Sequence, residues 1–252
     1  MKGIKSIVLK PYLLIWLCFC LGLFFLFLRF EPFKANASKK QVSFAVKNLV
    51  PELTVIQTEV QGDMVLLSLR NDSKKSITAF SVSSSNIITR NELLDTDKII
   101  APGDINIGAY ELPLTSSPKN GLTVLAVVFD DGTTSGDPEF IRQIIDARAG
   151  EQAQMTRMSP ILQEALVSLK NVNPEQKWKT LKLRIAQLPN CEDGKSFEYC
   201  AALHDAKELL LDKIMQLEQI QQERGDDIAQ QVMTHIKERY KRKSILLQHS
   251  LK

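Results

Sequence analysis

Histidine is scarce in this chain, with only His204, His235 and His249 in 252 residues. No two of them stand at the H-x-x-x-H spacing that sets a pair of imidazoles on one helix face in a zinc protease. The sequence also lacks a G-x-S-x-G elbow, a Walker loop and a dinucleotide glycine fingerprint, which removes the commonest serine-hydrolase, nucleotide and NAD chemistries. Cysteine is limited to four residues. Cys18 and Cys20 sit in an apolar run, so only Cys191 and Cys200 remain elsewhere, too few for a four-thiolate zinc site. No excess of positive charge covers a whole domain either. Residues 1–37 hold five Lys/Arg against one acid, 38–137 hold nine against twelve, and 138–252 hold eighteen against sixteen. The bulk of the chain therefore has no electrostatic footprint for nucleic acid.

What the sequence does have is an apolar run. Residues 11–28, PYLLIWLCFCLGLFFLFL, carry no charge. As a helix rising about 1.5 Å per residue they span roughly 27 Å, close to a hydrocarbon core of about 30 Å. A cleaved signal peptide has a shorter run, about 7–15 residues, so the length favours an uncleaved anchor at the membrane. The rival is a cleaved signal, with Ala35-Asn36-Ala37 as its A-x-A tripeptide. Lys2, Lys5 and Lys10 precede the run, which most simply leaves the short tail in the cytoplasm and exports everything after Arg29. Arg29, Lys34, Lys39 and Lys40 follow it, so the positive-inside bias is small. Gly22 is alone in the run and builds no G-x-x-x-G face. Cys18 and Cys20 read as apolar filler, with palmitoylation as the alternative.

The predicted fold class is α+β multidomain: a transmembrane helix or signal anchor over 1–30, a linker over 31–41, an immunoglobulin-like antiparallel β-sandwich over 42–136, and an α-helical region over 137–252. The strand evidence is alternation and turns. Met64–Arg70 puts Val65, Leu67 and Leu69 on one face, and Asn71-Asp72-Ser73 supplies a turn. Ile77–Val82 alternates again, and Ala101-Pro102-Gly103-Asp104 turns before Ile105–Leu112. Leu122–Phe129 is nearly all apolar, as a central strand covered on both faces is. With Val42–Val46, Thr54–Val60 and Ile87–Arg90 this gives about seven strands, a sandwich count without the Cys…Trp…Cys pin of antibody domains.

Helices are announced by Asp137-Pro138, Ser159-Pro160 and Asn173-Pro174, each a capping residue before a proline that suits the first helical position. Gln176 completes a capping-box spacing with Asn173. Three helices are thus predicted to start near 138, 160 and 174. Their stripes are Phe140, Ile141, Ile144 and Ile145; Ile161, Leu162, Ala165, Leu166 and Leu169; and Trp178, Leu181, Ile185 and Leu188. Further on, Leu203, Leu210 and Leu217 recur at sevens, with Ile214 and Ile220 beside them, and Ile228, Val232, Ile236 and Tyr240 continue at fours. This is one long helix or a hairpin joined near Gly225. The stripe beyond Gly225 is the one expected to serve a partner.

Four features bear on chemistry. Cys191 and Cys200 close a polar stretch, EDGKSFEY, and in an exported compartment an even pair around a short loop reads as a disulfide. Free thiols and a metal site with His204 are the rivals. Glu192 and Asp193 offer an acid pair beside it, with nothing in the sequence to split their pKa values. Asp130, Asp131 and Asp137, with the hydroxyls between them, have the donor chemistry of a calcium or magnesium loop, but lack the closing Glu of an EF-hand. The plainer reading makes Asp131-Gly132 a turn and Asp137 a helix cap. The basic cluster Lys237, Arg239, Lys241, Arg242 and Lys243 is either a solvated helix face or a patch for an anionic surface. Asn36-Ala37-Ser38 and Asn71-Asp72-Ser73 are glycosylation sequons.

The segment Leu69-Arg70-Asn71-Asp72-Ser73-Lys74-Lys75-Ser76-Ile77, followed later by Ile100-Ala101-Pro102-Gly103, resembles bacterial exported β-sandwich modules of the FxLYD type, although the Phe-x-Leu-Tyr-Asp signature itself is absent. The stretch from Val128 to Glu139 resembles a junction in uncharacterised bacterial membrane-anchored proteins. The resemblance covers residues 60–140 and implies fold and export, but no activity. The expected function is a membrane-anchored extracytoplasmic protein, held by residues 11–28, whose non-catalytic surfaces bind or scaffold an envelope protein. It calls for no cofactor and no nucleic acid. The alternatives are a divalent-cation-dependent ligand-binding module built on Asp130–Asp137, and an envelope enzyme with chemistry that no motif reveals.

Overall fold

Alternation in Met64–Asn71 becomes a strand whose every second residue is buried, with Val65, Leu67 and Leu69 turned inward. The computed structural model describes residues 45–84, 87–94, 99–111, 121–168 and 173–251. The apolar run 11–28, its Ala35-Asn36-Ala37 tripeptide, the linker and the first residues of the expected strand Val42–Val46 lie outside them. Among the described residues no helix is long and apolar enough to cross a membrane. Val42–Lys252 forms one compact unit.

The strands are β1 (Val46–Asn48), β2 (Leu53–Gln61), β3 (Met64–Asn71), β4 (Ile77–Ser84), β5 (Ile87–Glu92), β6 (Ile105–Glu111), β7 (Leu122–Phe129) and β8 (Thr134–Gly136). They make two sheets, β2-β3-β6 and β1-β7-β4-β5, with β8 also on β7. The sheets share a core in which Leu53, Val65 and Leu67 of one meet Phe80, Leu122 and Val124 of the other. Two expectations need correction. The sandwich is not wholly antiparallel, because β1 runs parallel to β7. One edge of β7 is taken by β4. Its other edge is divided, with β1 opposite Leu122–Val124 and β8 opposite Ala126–Val128. β8 itself lies inside the acidic stretch Asp130–Asp137, between the expected turn at Asp131-Gly132 and the expected cap at Asp137. It forms because Gly136 takes φ +109° where a β-carbon would overlap the Leu125 carbonyl, a place for glycine alone.

β7 is covered on both faces, as its composition requires. Leu122, Val124, Val127 and Phe129 enter the inter-sheet core, while Leu125, Ala126 and Val128 join Ala79 and Ile144 in a second cluster. The change of phase falls where the β4–β7 register shifts between Ser81 and Val82, an extra residue of the kind that re-aims a strand. Asn71 makes the expected turn in an unexpected way. Fully buried, its amide donates to the Lys75 and Ile100 carbonyls at 2.7 and 2.9 Å, and its oxygen accepts from the Ser73 backbone at 3.0 Å. That nitrogen is committed in the fold, so the sequon there offers no acceptor; the Asn36 sequon lies outside the described residues.

Among the described residues four helices follow: α1 (Pro138–Ser168), α2 (Pro174–Ala186), α3 (Phe197–Arg224) and α4 (Asp226–Ser250). The expected start at Pro160 is wrong, since α1 runs through it. The buried positions Ile144, Ala147, Met155, Met158, Leu162 and Ala165 continue in phase across the proline. The proline ring is exposed, so the carbonyl it leaves without an N–H partner faces the solvent side of the helix. Packing of one unbroken stripe outweighs the local cost of about 3 kcal/mol for an interior proline. The first turns of α1 lie on the sheet through Phe140, Ile141 and Ile144. Its later turns join Trp178, Leu181 and Ile185 of α2 with Leu210, Ile214 and Leu217 of α3 in a helical core. Gly225, at φ +89°, ends α3 and starts α4. The two fold back on each other, with the Lys213 ammonium 5.4 Å above the Tyr240 ring. The stripe beyond Gly225 is therefore largely spent inside: Tyr240 is buried, Val232 and Ile236 pack against the helical core, and only Ile228 of the four is exposed.

A buried ion pair joins sheet to helix. Arg148 of α1, 1 % exposed, donates from Nε to Glu92 Oε2 at 2.8 Å and from Nη2 to Glu92 Oε1 at 2.9 Å and Thr78 Oγ1 at 3.0 Å. This two-toothed guanidinium–carboxylate geometry is the strong form of the interaction.

Candidate functional site

The loop closed by cysteines emerges from the end of α2 and is built in place by polar anchors. Cys191 and Cys200 are joined as a disulfide with Cα atoms 4.4 Å apart. The thiols are thus used on each other rather than with His204, whose Nδ1 lies 3.4 Å from Asn190 Oδ1 and 3.9 Å from Glu208. On the α1 side, Gln154 donates to the Pro189 carbonyl at 3.2 Å, and Arg157 pairs with Glu192. On the α3 side, the buried Lys207 donates to the Leu188 carbonyl at 3.2 Å and to Asn190. Helix α1 approaches so closely that a β-carbon on Gly150 would overlap the Tyr199 carbonyl oxygen.

These contacts shift two groups. The Arg157 guanidinium, with the Tyr199 hydroxyl adding to it, holds the Glu192 carboxyl below its usual range. Burial, then the hydrogen bond to Glu192 and its charge, raise the Tyr199 phenol. Glu192 is thereby an ion-pair partner and hydrogen-bond acceptor, and its neighbour Asp193 is exposed. The two acids do not act as a pair.

On this frame sits a residue that sequence reasoning passed over. Phe197 is 81 % exposed. It is the first residue of α3, following Ser196, whose hydroxyl caps the helix by accepting from the Tyr199 N–H at 3.2 Å. Asp193, Gly194 and Lys195 beside it are also exposed. Phe197 and Tyr199 are the two aromatics of an otherwise polar, cysteine-closed stretch; that pairing is the signal in the sequence, and only the fold separates the buried Tyr199 from the exposed Phe197. Rigid, exposed aromatic side chains are the anchors that protein interfaces favour.

The carboxylates proposed for a cation are engaged separately. Asp131 takes the Lys75 ammonium at 2.7 Å and the Thr133 hydroxyl at 2.6 Å. Lys75, then Thr133, hold its carboxyl down to about 2. Asp137 caps α1 by accepting from the Glu139 N–H at 2.9 Å. Asp130 is exposed and ties the turn by its backbone, through the Ser76 carbonyl at 2.9 Å. Ser135 donates to Glu52 at 2.5 Å. Among the described residues no three of His, Cys, Asp or Glu gather to hold a metal ion.

A polar cleft of about 350 Å³ opens between the ends of α2, α3 and α4, lined by Glu175, Trp178, Glu218, Gln221 and Asp226. Its groups satisfy one another. The Trp178 indole donates to Gln221, Gln221 donates to Asp226, and Lys182 pairs with Glu218 at 2.7 Å. Comparison with protein-family models, curated proteins and solved structures finds no match to this chain.

Proposed function

We propose that this protein is a membrane-anchored, extracytoplasmic, non-catalytic interaction module whose braced disulfide loop docks another envelope protein. The observation that carries the reading is Phe197, 81 % exposed on a loop held by a disulfide, an ion pair and two buried polar side chains. Ordering a contact aromatic before binding reduces the entropy lost on association. The cysteine bond fits an oxidising compartment, and the apolar run 11–28 fits an anchor. The strand orders β2-β3-β6 and β5-β4-β7 support an immunoglobulin-like sandwich related to the FxLYD type.

The test is a photo-crosslinking amino acid placed at Phe197 in the full chain in native membranes, with Asp130 as the comparison position. A discrete protein adduct is expected at Phe197, absent at Asp130, and lost when Cys191 and Cys200 are replaced by serine. Equal adducts at both positions, or none at Phe197, would rule the docking role out. Protease accessibility from each side of the membrane tests the orientation separately.

A further inference from the structure

We propose that the outward face of the last turns of α4 rests on an anionic bilayer surface. In sequence, Lys237–Lys243 looks like one cationic block, but folding divides it. Lys243 is buried, its ammonium 2.6 Å from Glu151 of α1, and Lys237 is half-buried beside Glu238. Arg239, Lys241 and Arg242 face out. One turn beyond Lys241 and Arg242, on the same face, stand Ile245 and Leu246, 46 % and 41 % exposed. Tyr240 and Leu247 occupy the opposite face and are buried against the helical core.

Cations flanking exposed aliphatic side chains on one helix face match the chemistry of an interface. The charges meet anionic headgroups, and the aliphatic groups enter the headgroup–acyl boundary. A single-stranded nucleic acid fits less well, because stacking needs an exposed aromatic and Tyr240 is turned inward. This surface is separate from the disulfide loop and gives the chain a second hold on the bilayer beside an anchor.

The experiment uses the full chain in nanodiscs of phosphatidylcholine, with or without phosphatidylglycerol, and follows acetylation of the Lys241 amine by mass spectrometry, with exposed Lys74 as reference. Salt-resistant retention on the discs reports the N-terminal run, and Lys241 labelling reports α4, so the two readings fail independently. Lys241 is expected to be shielded only with phosphatidylglycerol and released by salt. Arg242→Glu is expected to weaken shielding by roughly five-fold or more, and Leu246→Gln to weaken it with melting temperature unchanged. Equal labelling in both discs overturns the proposal. So does shielding that ignores Leu246→Gln and is reproduced by single-stranded DNA. If the chain is not retained on discs, the same labelling with vesicles of the two compositions decides the matter.

Discussion

Arg148 and Asp131 are both paired cations or anions, yet burial separates what they contribute. Arg148 is 1 % exposed and its partner Glu92 reaches it from the sheet. Removing one member of a buried pair leaves the other uncompensated, which costs about 3–5 kcal/mol. Glu92→Ala is therefore expected to lower stability by that amount in a urea titration, more than any single change at the surface pairs. Asp131 and Lys75 are each more than two-fifths exposed, and solvent and salt screen them. Their signature is pH dependence. The folded pKa of about 2 lies below the ordinary 3.8, so the contribution is complete above 3.8 and disappears as pH falls through about 2. Melting temperatures of the wild type and Asp131→Asn are expected to differ at neutral pH and to converge across that window. A difference that persists below it would mean that the turn, not the charge, is responsible.

Helix α1 shows how far an element can depart from its own local signals. Ser159-Pro160 has the form of a helix start, and Asn173-Pro174 has the same form and is one: Asn173 accepts from the Glu175 N–H at 3.0 Å. The difference lies in what flanks them. Buried residues run in phase through Pro160, whereas α2 starts afresh after Asn173. Pro160→Ala is expected to restore a helical N–H at an exposed position and raise stability by up to about 3 kcal/mol, read as a higher melting temperature with unchanged helix content. The disulfide loop is the other element open to test. Its cysteines are nine residues apart, and opening so short a loop removes about 2–3 kcal/mol in the chain-entropy view. Reduction, or Cys191→Ser with Cys200→Ser, is expected to lower the melting point by that measure and to leave the sheets folded by circular dichroism.

For the molecule as a whole, α1 decides the cooperativity. Its early turns belong to the cluster with Ala79 and Val128, and its later turns to the core with Trp178 and Leu210. Leu94, following β5, also enters the helical core. Strands and helices that share one long helix and a buried ion pair do not have separate stabilities. Scanning calorimetry of the compact unit is expected to show one transition, with equal calorimetric and van't Hoff enthalpies. Two resolved transitions would mean that the 42–136 and 137–252 segments unfold independently.

Sequence by itself determined the elements whose signal is local or periodic. Six strand regions, the Asp137 and Asn173 caps, the heptad spacing of Leu203, Leu210 and Leu217, and the cysteine pair are legible, because period and turn chemistry act over a few residues; β1, at Val46–Asn48, shares only Val46 with the expected Val42–Val46. Tertiary structure decided the rest. Whether Pro160 begins a helix or rides on one depends on the surface beneath α1. Whether β1 is parallel depends on which edge of β7 is vacant, which no residue of β1 encodes. Asp131 pairs with Lys75 across the sheet turns, and Lys243 pairs with Glu151 and leaves the surface. Phe197, by contrast, found no such cover. Each outcome depends on which groups lie across a gap in sequence, and those distances exist only once the chain is packed.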